Sequence, residues 1–208
     1  MVIKTMDEKN IKLNNRLVIT VIVLLFSAPL LVSWLLLKYT EITELSRQTN
    51  HGDLISPPRP LPDIKLIDPL SDTNDGKLHG KWSLFYIVDD FCNQVCLDNL
   101  YRMRQIHMAA GKYSLRVQRA ILITHTTSDD PAQIFKDYAG QRLLSTNGIN
   151  IGEFLEKFYL KDEGQPEQKH RLYIIDPLGN LMMSYPPDAD PGGIIKDLNQ
   201  LLKASHIG

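Results

Sequence analysis

From Leu17 to Leu37 the chain reads LVITVIVLLFSAPLLVSWLLL, with no charged residue. A helix of about 20 apolar residues rises roughly 30 Å, the thickness of a bilayer core. Pro29 is tolerated in such a span, and Trp34 and Tyr39 suit its interfacial end. Lys4, Lys9, Lys12 and Arg16 precede the span, whereas Lys38 and Arg47 follow it. The positive-inside rule places the N-terminus in the cytoplasm and the rest of the chain outside. A cleaved signal peptide is the rival reading. It calls for a shorter apolar core and a small-residue cleavage site, but this core runs into Leu37-Lys-Tyr-Thr-Glu41. The span therefore reads as an uncleaved anchor.

The expected organisation is a cytoplasmic N-terminus at 1–16, a transmembrane anchor at 17–37, a linker at 38–62 and one domain at 63–208. Ser56-Pro-Pro-Arg-Pro-Leu-Pro62 favours extended polyproline geometry, a semi-rigid spacer. A net charge of -1 gives no electrostatic footprint for nucleic acid. No Walker-type loop or dinucleotide fingerprint is visible, and no hydrolytic triad.

Within the domain, Ile64 to Asp68 reads as a short strand. Trp82 to Val88 is aromatic and β-branched, a buried strand. A helix is expected over Cys92 to Ala110, stopped by Gly111. Val117 to Thr124 is a second core strand. A helix opens at Pro131, with Ser128, Asp129 and Asp130 available to cap it, and another covers Ile151 to Leu160. Arg171 to Ile175 is a third core strand, joined through Asp176-Pro-Leu-Gly179 to Asn180–Tyr185 as a hairpin. Pro191 opens a final amphipathic helix through Ala204. The order strand-helix-strand-helix-helix-hairpin-helix resembles the thioredoxin-like pattern. The fold class is α/β, a mixed sheet flanked by helices and preceded by one transmembrane helix.

The only two cysteines lie in the run Cys92-Asn-Gln-Val-Cys96, just after the first core strand. At the start of a helix such a pair shares a face, and the helix macrodipole favours thiolate. Two thiolates suit Cu(I), or zinc with further ligands, while outside the cytoplasm they can also close a disulfide. A cross-link over so short a loop adds little stability, which favours a functional pair.

Topology selects two histidines for the sheet edge where the cysteines emerge. His125 follows the parallel strand ending at Thr124, and His170 precedes the strand starting at Arg171. His79 falls at the opposite edge, and His107 about 16 Å along the helix. His51 is in the linker and His206 in the tail. Met182 and Met183 face opposite sides of a strand, so one of them belongs to the core. Asp89 and Asp90 read as a solvated turn, although a carboxylate beside Cys92 would tune its thiolate.

These features together resemble the Sco-type copper chaperones, which assemble the copper centre of cytochrome oxidase. They share an anchor, a thioredoxin-like domain, a C-x-x-x-C after the first core strand, and a late histidine before a strand ending in a Pro-x-Gly turn. The resemblance covers about residues 63 to 204. It implies copper, Cu(I) or Cu(II), held by Cys92, Cys96 and His170, with His125 the alternative third ligand. The implied partner is the copper-bearing oxidase subunit or another extracytoplasmic thiol protein. The implied site is the cell (inner) membrane, ahead of the mitochondrial inner membrane. This chain departs from the family in lacking prolines in and after its cysteine motif, and Gln168 stands where the family histidine tends to fall. Two other functions fit the same residues. One is a thiol-disulfide oxidoreductase in which Cys92 attacks and Cys96 resolves. The other is an assembly scaffold without metal or redox chemistry.

Overall fold

The computed structural model describes residues 8–39, 50–63, 77–89, 92–124, 138, 140–146, 151–161, 164–205 and 207–208. The chain forms two units, residues 1–49 and 50–208. The expected strand at 64–68, the helix from Pro131, Asp90, His125 and His206 all lie outside the described residues.

The first unit contains α1, Glu8–Tyr39, with Pro29 inside it. Asn15–Leu36 is long and apolar enough to cross a membrane, the one such helix among the described residues. Two of its hydroxyls are turned back on the helix: Thr20 Oγ1 donates to the Arg16 carbonyl at 2.9 Å and Ser27 Oγ to the Leu24 carbonyl at 3.3 Å. The Lys38 ammonium lies 4.9 Å from the centre of the Trp34 ring.

The second unit is built on a mixed six-stranded sheet of order β1-β6-β5-β2-β3-β4. The strands are β1 Asp53–Pro60, β2 Trp82–Val88, β3 Val117–Ile123, β4 Gln141–Ser145, β5 Leu172–Ile175 and β6 Asn180–Tyr185. Among the described residues the helices of this unit are α2 Gln94–Ala109, α3 Gly152–Glu156 and α4 Pro191–Ala204. β2, β3 and β4 run parallel, and β5, β6 and β1 extend the sheet antiparallel on the other side of β2.

Every residue of β2 is buried, because helices cover both faces of the sheet. Alternation divides the core in two. Leu84, Tyr86 and Val88 face α2 and α4, where they meet Leu100, Met103, Ile106, Ile194 and Leu198. Phe85 and Ile87 face Phe154 of α3, Phe158 and Tyr173. Phe85 stacks 5.4 Å from Phe158, and Phe158 meets Tyr173 edge-on at 4.9 Å. Along the hairpin turn, Asp176 accepts from the Leu178 and Asn180 amides, and Gly179 takes φ 86°.

The proline-rich stretch differs from the spacer expected of it. Asp53–Pro60 is a strand, paired antiparallel with β6. Extended proline backbone suits an edge strand, where a missing N–H is tolerated, and the register shifts between Leu54 and Arg59. Arg59 fastens the strand by donating to the carbonyls of Lys157 (2.8 Å) and Tyr159 (2.7 Å). The helix expected over Ile151 to Leu160 is shorter, Gly152–Glu156. β4, five residues long, is an added strand that no alternating pattern announces.

Candidate metal and redox centre

β2 ends at Val88 and the chain reaches Cys92 before α2 begins. Asn93 is the N-cap of α2, and its Oδ1 accepts from the Cys96 backbone N–H at 3.0 Å. Cys92 therefore stands just outside the helix rather than on its first turn, which corrects the shared helical face expected of the pair. Asparagine is among the strongest N-caps, so the helix starts after it. The two sulfurs still meet. Cys92 and Cys96 are joined in a disulfide with their Cα atoms 5.0 Å apart.

The two cysteines are not equivalent. Cys96 is fully buried in the core with Leu100 and Met103, whereas Cys92 is half-buried at its margin. The sulfur that an incoming group can reach is that of Cys92. No acidic side chain occupies the first turn of α2, so the positive end of its dipole is not offset there.

His170 follows a short 3-10 turn, Pro166–Gln168, that leads into β5. Tyr86 pairs with Leu172, the first residue of β5, and the Tyr86 hydroxyl contacts the His170 ring, so His170 lies just before β5 beside the C-terminal end of β2. It thus stands at the sheet edge from which Cys92 emerges. Its backbone has φ 51°, left-handed and unusual for histidine. Two neighbours hold it. The Tyr86 hydroxyl lies 2.7 Å from His170 Nδ1, and Asn99 Nδ2 donates to the His170 carbonyl at 3.0 Å. Asn99 is buried on α2, one turn beyond Cys96. Its Oδ1 accepts from Arg102 Nη1 at 3.2 Å. The Arg102 guanidinium in turn donates to the carbonyls of Pro187 and Ala189.

Burial lowers the His170 pKa, so the ring is held neutral, the state in which imidazole binds a metal. Burial pushes the Tyr86 phenol up to about 12 against a smaller opposing effect of Asn99, so it keeps its proton at neutral pH. Among the described residues no three His, Cys, Asp or Glu side chains form a group able to hold a metal ion. A disulfide carries no thiolate, so the pair becomes a ligand set only when reduced.

The other described histidines are engaged elsewhere. His51 Nδ1 is 2.9 Å from Asp197 Oδ1, and His107 Nε2 is 3.1 Å from both the Ser114 and Val117 carbonyls. His79 is 3.9 Å from Asp63. Met183 is buried and Met182 half-buried against the same cluster, because the register of β6 shifts between Leu181 and Met183; one of the two is core as expected, but they do not take opposite faces. Tyr86 and Asn99 escaped the sequence reading because each looks like core. The one available signal was a polar residue one turn after Cys96, on the apolar side of the helix.

The residues 82–205, more than half of the chain, match the family model described as "Transmembrane-like, thioredoxin-like, C-terminal domain". No curated protein matches the chain. Several solved structures share its fold. Arabidopsis thaliana ScoI with copper bound is 18% identical, with a TM-score of 0.52 over 71% of this chain and 98% of that one. Yeast Sco1 with copper bound is 18% identical, TM-score 0.52, over 71% and 95%. BsSco, a member of the Sco family of cytochrome c oxidase assembly proteins in which a disulfide switch was identified, is 17% identical, TM-score 0.52, over 74% and 99%. At these identities the likeness is one of fold, and the mixed sheet with its covering helices agrees with it. The chain belongs to the family of transmembrane-like proteins with a thioredoxin-like C-terminal domain.

Proposed function

We propose that this chain is a membrane-anchored copper-handling protein of the Sco type. In this reading Cys92 and Cys96, once reduced, take up copper as cargo and His170 supplies the third ligand. The observation that carries it is the linkage of all three residues to one helix end: the cysteines bracket the N-cap of α2, and Asn99 of the same helix holds His170. The donor chemistry fits. Two thiolates are soft ligands suited to Cu(I), and a neutral imidazole completes a trigonal set. The exposed side of Cys92 gives a route for ligand exchange with an acceptor. The acceptor in this proposal is the copper-bearing subunit of cytochrome oxidase, and the domain lies outside the cytoplasm.

An anaerobic Cu(I) titration tests this, using the full reduced chain in detergent against a competing chelator. One copper per chain is expected, with binding lost in Cys92→Ser and weakened in His170→Ala. A weakening in His125→Ala instead moves the third ligand there. Failure of the reduced chain to compete with the chelator rules the copper role out.

The disulfide and the unequal burial of its sulfurs favour a second reading, thiol-disulfide exchange. The Cys92 thiolate would attack a partner disulfide, forming a mixed disulfide and releasing one partner thiolate. The Cys96 thiolate would then attack Cys92 Sγ and release the other. Two electrons pass to the partner and the Cys92–Cys96 bond closes. Cys96→Ser should then accumulate a covalent mixed disulfide through Cys92, separable on a non-reducing gel. Its absence under trapping conditions counts against the exchange reading.

A further inference from the structure

His170 is held at its ring by Tyr86 and at its backbone by Asn99. The Tyr86 hydroxyl occupies Nδ1 at 2.7 Å, which leaves Nε2 as the nitrogen open to a metal. The Asn99 amide cannot turn over without loss, because its oxygen accepts from Arg102 while its nitrogen donates to the His170 carbonyl. A reversed amide would set N–H against guanidinium and oxygen against carbonyl. Arg102 is itself anchored on the Pro187 and Ala189 carbonyls, so the chain of bonds has a fixed end. Cys96 and Asn99 lie within one turn of α2, both buried.

We propose that Tyr86 and Asn99 are positioning residues for His170. Tyr86 fixes the imidazole so that Nε2 is presented to a soft cation, and Asn99 locks the left-handed backbone of His170 to the helix turn that carries Cys96. The inference rests on the reading of His170 as a copper ligand. Hydrogen-bond partners of ligating histidines commonly set ring orientation and tautomer, and their loss weakens metal binding ten- to a hundred-fold.

The test has one arm with copper and one without. In the first, Cu(I) competition is measured on the reduced full chain in detergent for wild type, His170→Ala, Tyr86→Phe and Asn99→Leu. Tyr86→Phe and Asn99→Leu are expected to bind about ten-fold more weakly or worse, with circular dichroism showing a folded domain. Wild-type affinity in both variants beside a weakened His170→Ala overturns the proposal. In the second arm, long-range nitrogen-proton NMR of the metal-free, disulfide-bonded chain reports which His170 ring nitrogen carries the proton. A single Nδ1–H tautomer in wild type that becomes mixed in Tyr86→Phe supports the proposal, because Nε2 then keeps its lone pair for the metal; a mixed or an Nε2–H tautomer in wild type overturns it. A purely structural role would lower the melting temperature and leave the tautomer unchanged. If wild type binds no Cu(I), the copper reading falls and the tautomer still decides the role of Tyr86. If Asn99→Leu fails to fold, Asn99→Ser takes its place, and the wild-type spectrum needs no variant.

Discussion

His170 adopts a left-handed backbone that costs a residue with a Cβ about 1–2 kcal/mol, and the Asn99 amide bonded to its carbonyl helps offset this. Asp197 concentrates still more polar contact. Its buried carboxylate accepts from the backbone amides of His51 (2.8 Å) and Gly52 (3.1 Å) and from the Tyr185 hydroxyl (3.1 Å), and it meets His51 Nδ1. Burial, reinforced by this carboxylate, raises the Tyr185 pKa, so the phenol remains a donor. Asp197→Ala strands these donors together and is expected to cost about 3 kcal/mol in urea unfolding. His107 makes the domain sensitive to acid. Burial, then the Arg119 charge, holds its pKa below the usual histidine value. The unfolded chain binds that proton more readily. The contribution to stability is thus full above the usual value and is lost as pH falls through the folded one. Unfolding free energies measured at about pH 7.5 and 5.5 should show the drop, and His107→Gln should flatten it.

Among the elements, the two capped helices give matched tests. Asn93 caps α2 through Cys96 N–H, and Asp190 caps α4 by accepting from Gly193 N–H at 3.0 Å. Asn93→Ala and Asp190→Ala should each cost about 1 kcal/mol. Of the two, only Asn93→Ala should also change the rate at which a thiol reductant opens the disulfide. The strands β2, β3, β5 and β6 were legible because a buried strand is a run of large apolar residues between turn signals. α4 was legible from its proline start and apolar face. β1 was not, because three prolines in Asp53–Pro60 disguise a strand whose place at the edge relieves it of donating hydrogen bonds on its outer side. At the site the cysteines were plain, being the only two, but their setting was not. The N-cap shifted the helix start by two residues. The partners of His170 come from β2 and α2, distant in sequence, where their periodicity marks them as core.

Across the whole molecule, the disulfide spans so few residues that reduction removes only a small loop-closure term, about 2 kcal/mol. The melting temperature of the domain should fall modestly in dithiothreitol and the transition should stay cooperative, as differential scanning calorimetry will show. A larger collapse would make the bond a structural staple. The charge asymmetry around α1 gives a second expectation. Protease added to intact spheroplasts should digest the part beyond residue 50 and spare the N-terminal segment, with the opposite pattern in inverted vesicles.

The clamp at Asp197 also has a mechanical meaning. Residues 40–49 join α1 to a domain whose first fastened residues are His51 and Gly52. The buried Asp197 carboxylate on α4 fixes both residues immediately before β1, and α4 packs against the central sheet beside α2. Gly193 and Gly52 close the joint tightly, since a Cβ at Gly193 would lie 2.7 Å from His51 Cβ and one at Gly52 2.3 Å from the Tyr185 ring. The start of the domain is therefore secured to the helical layer as well as to the sheet, so that β1 does not hold it alone.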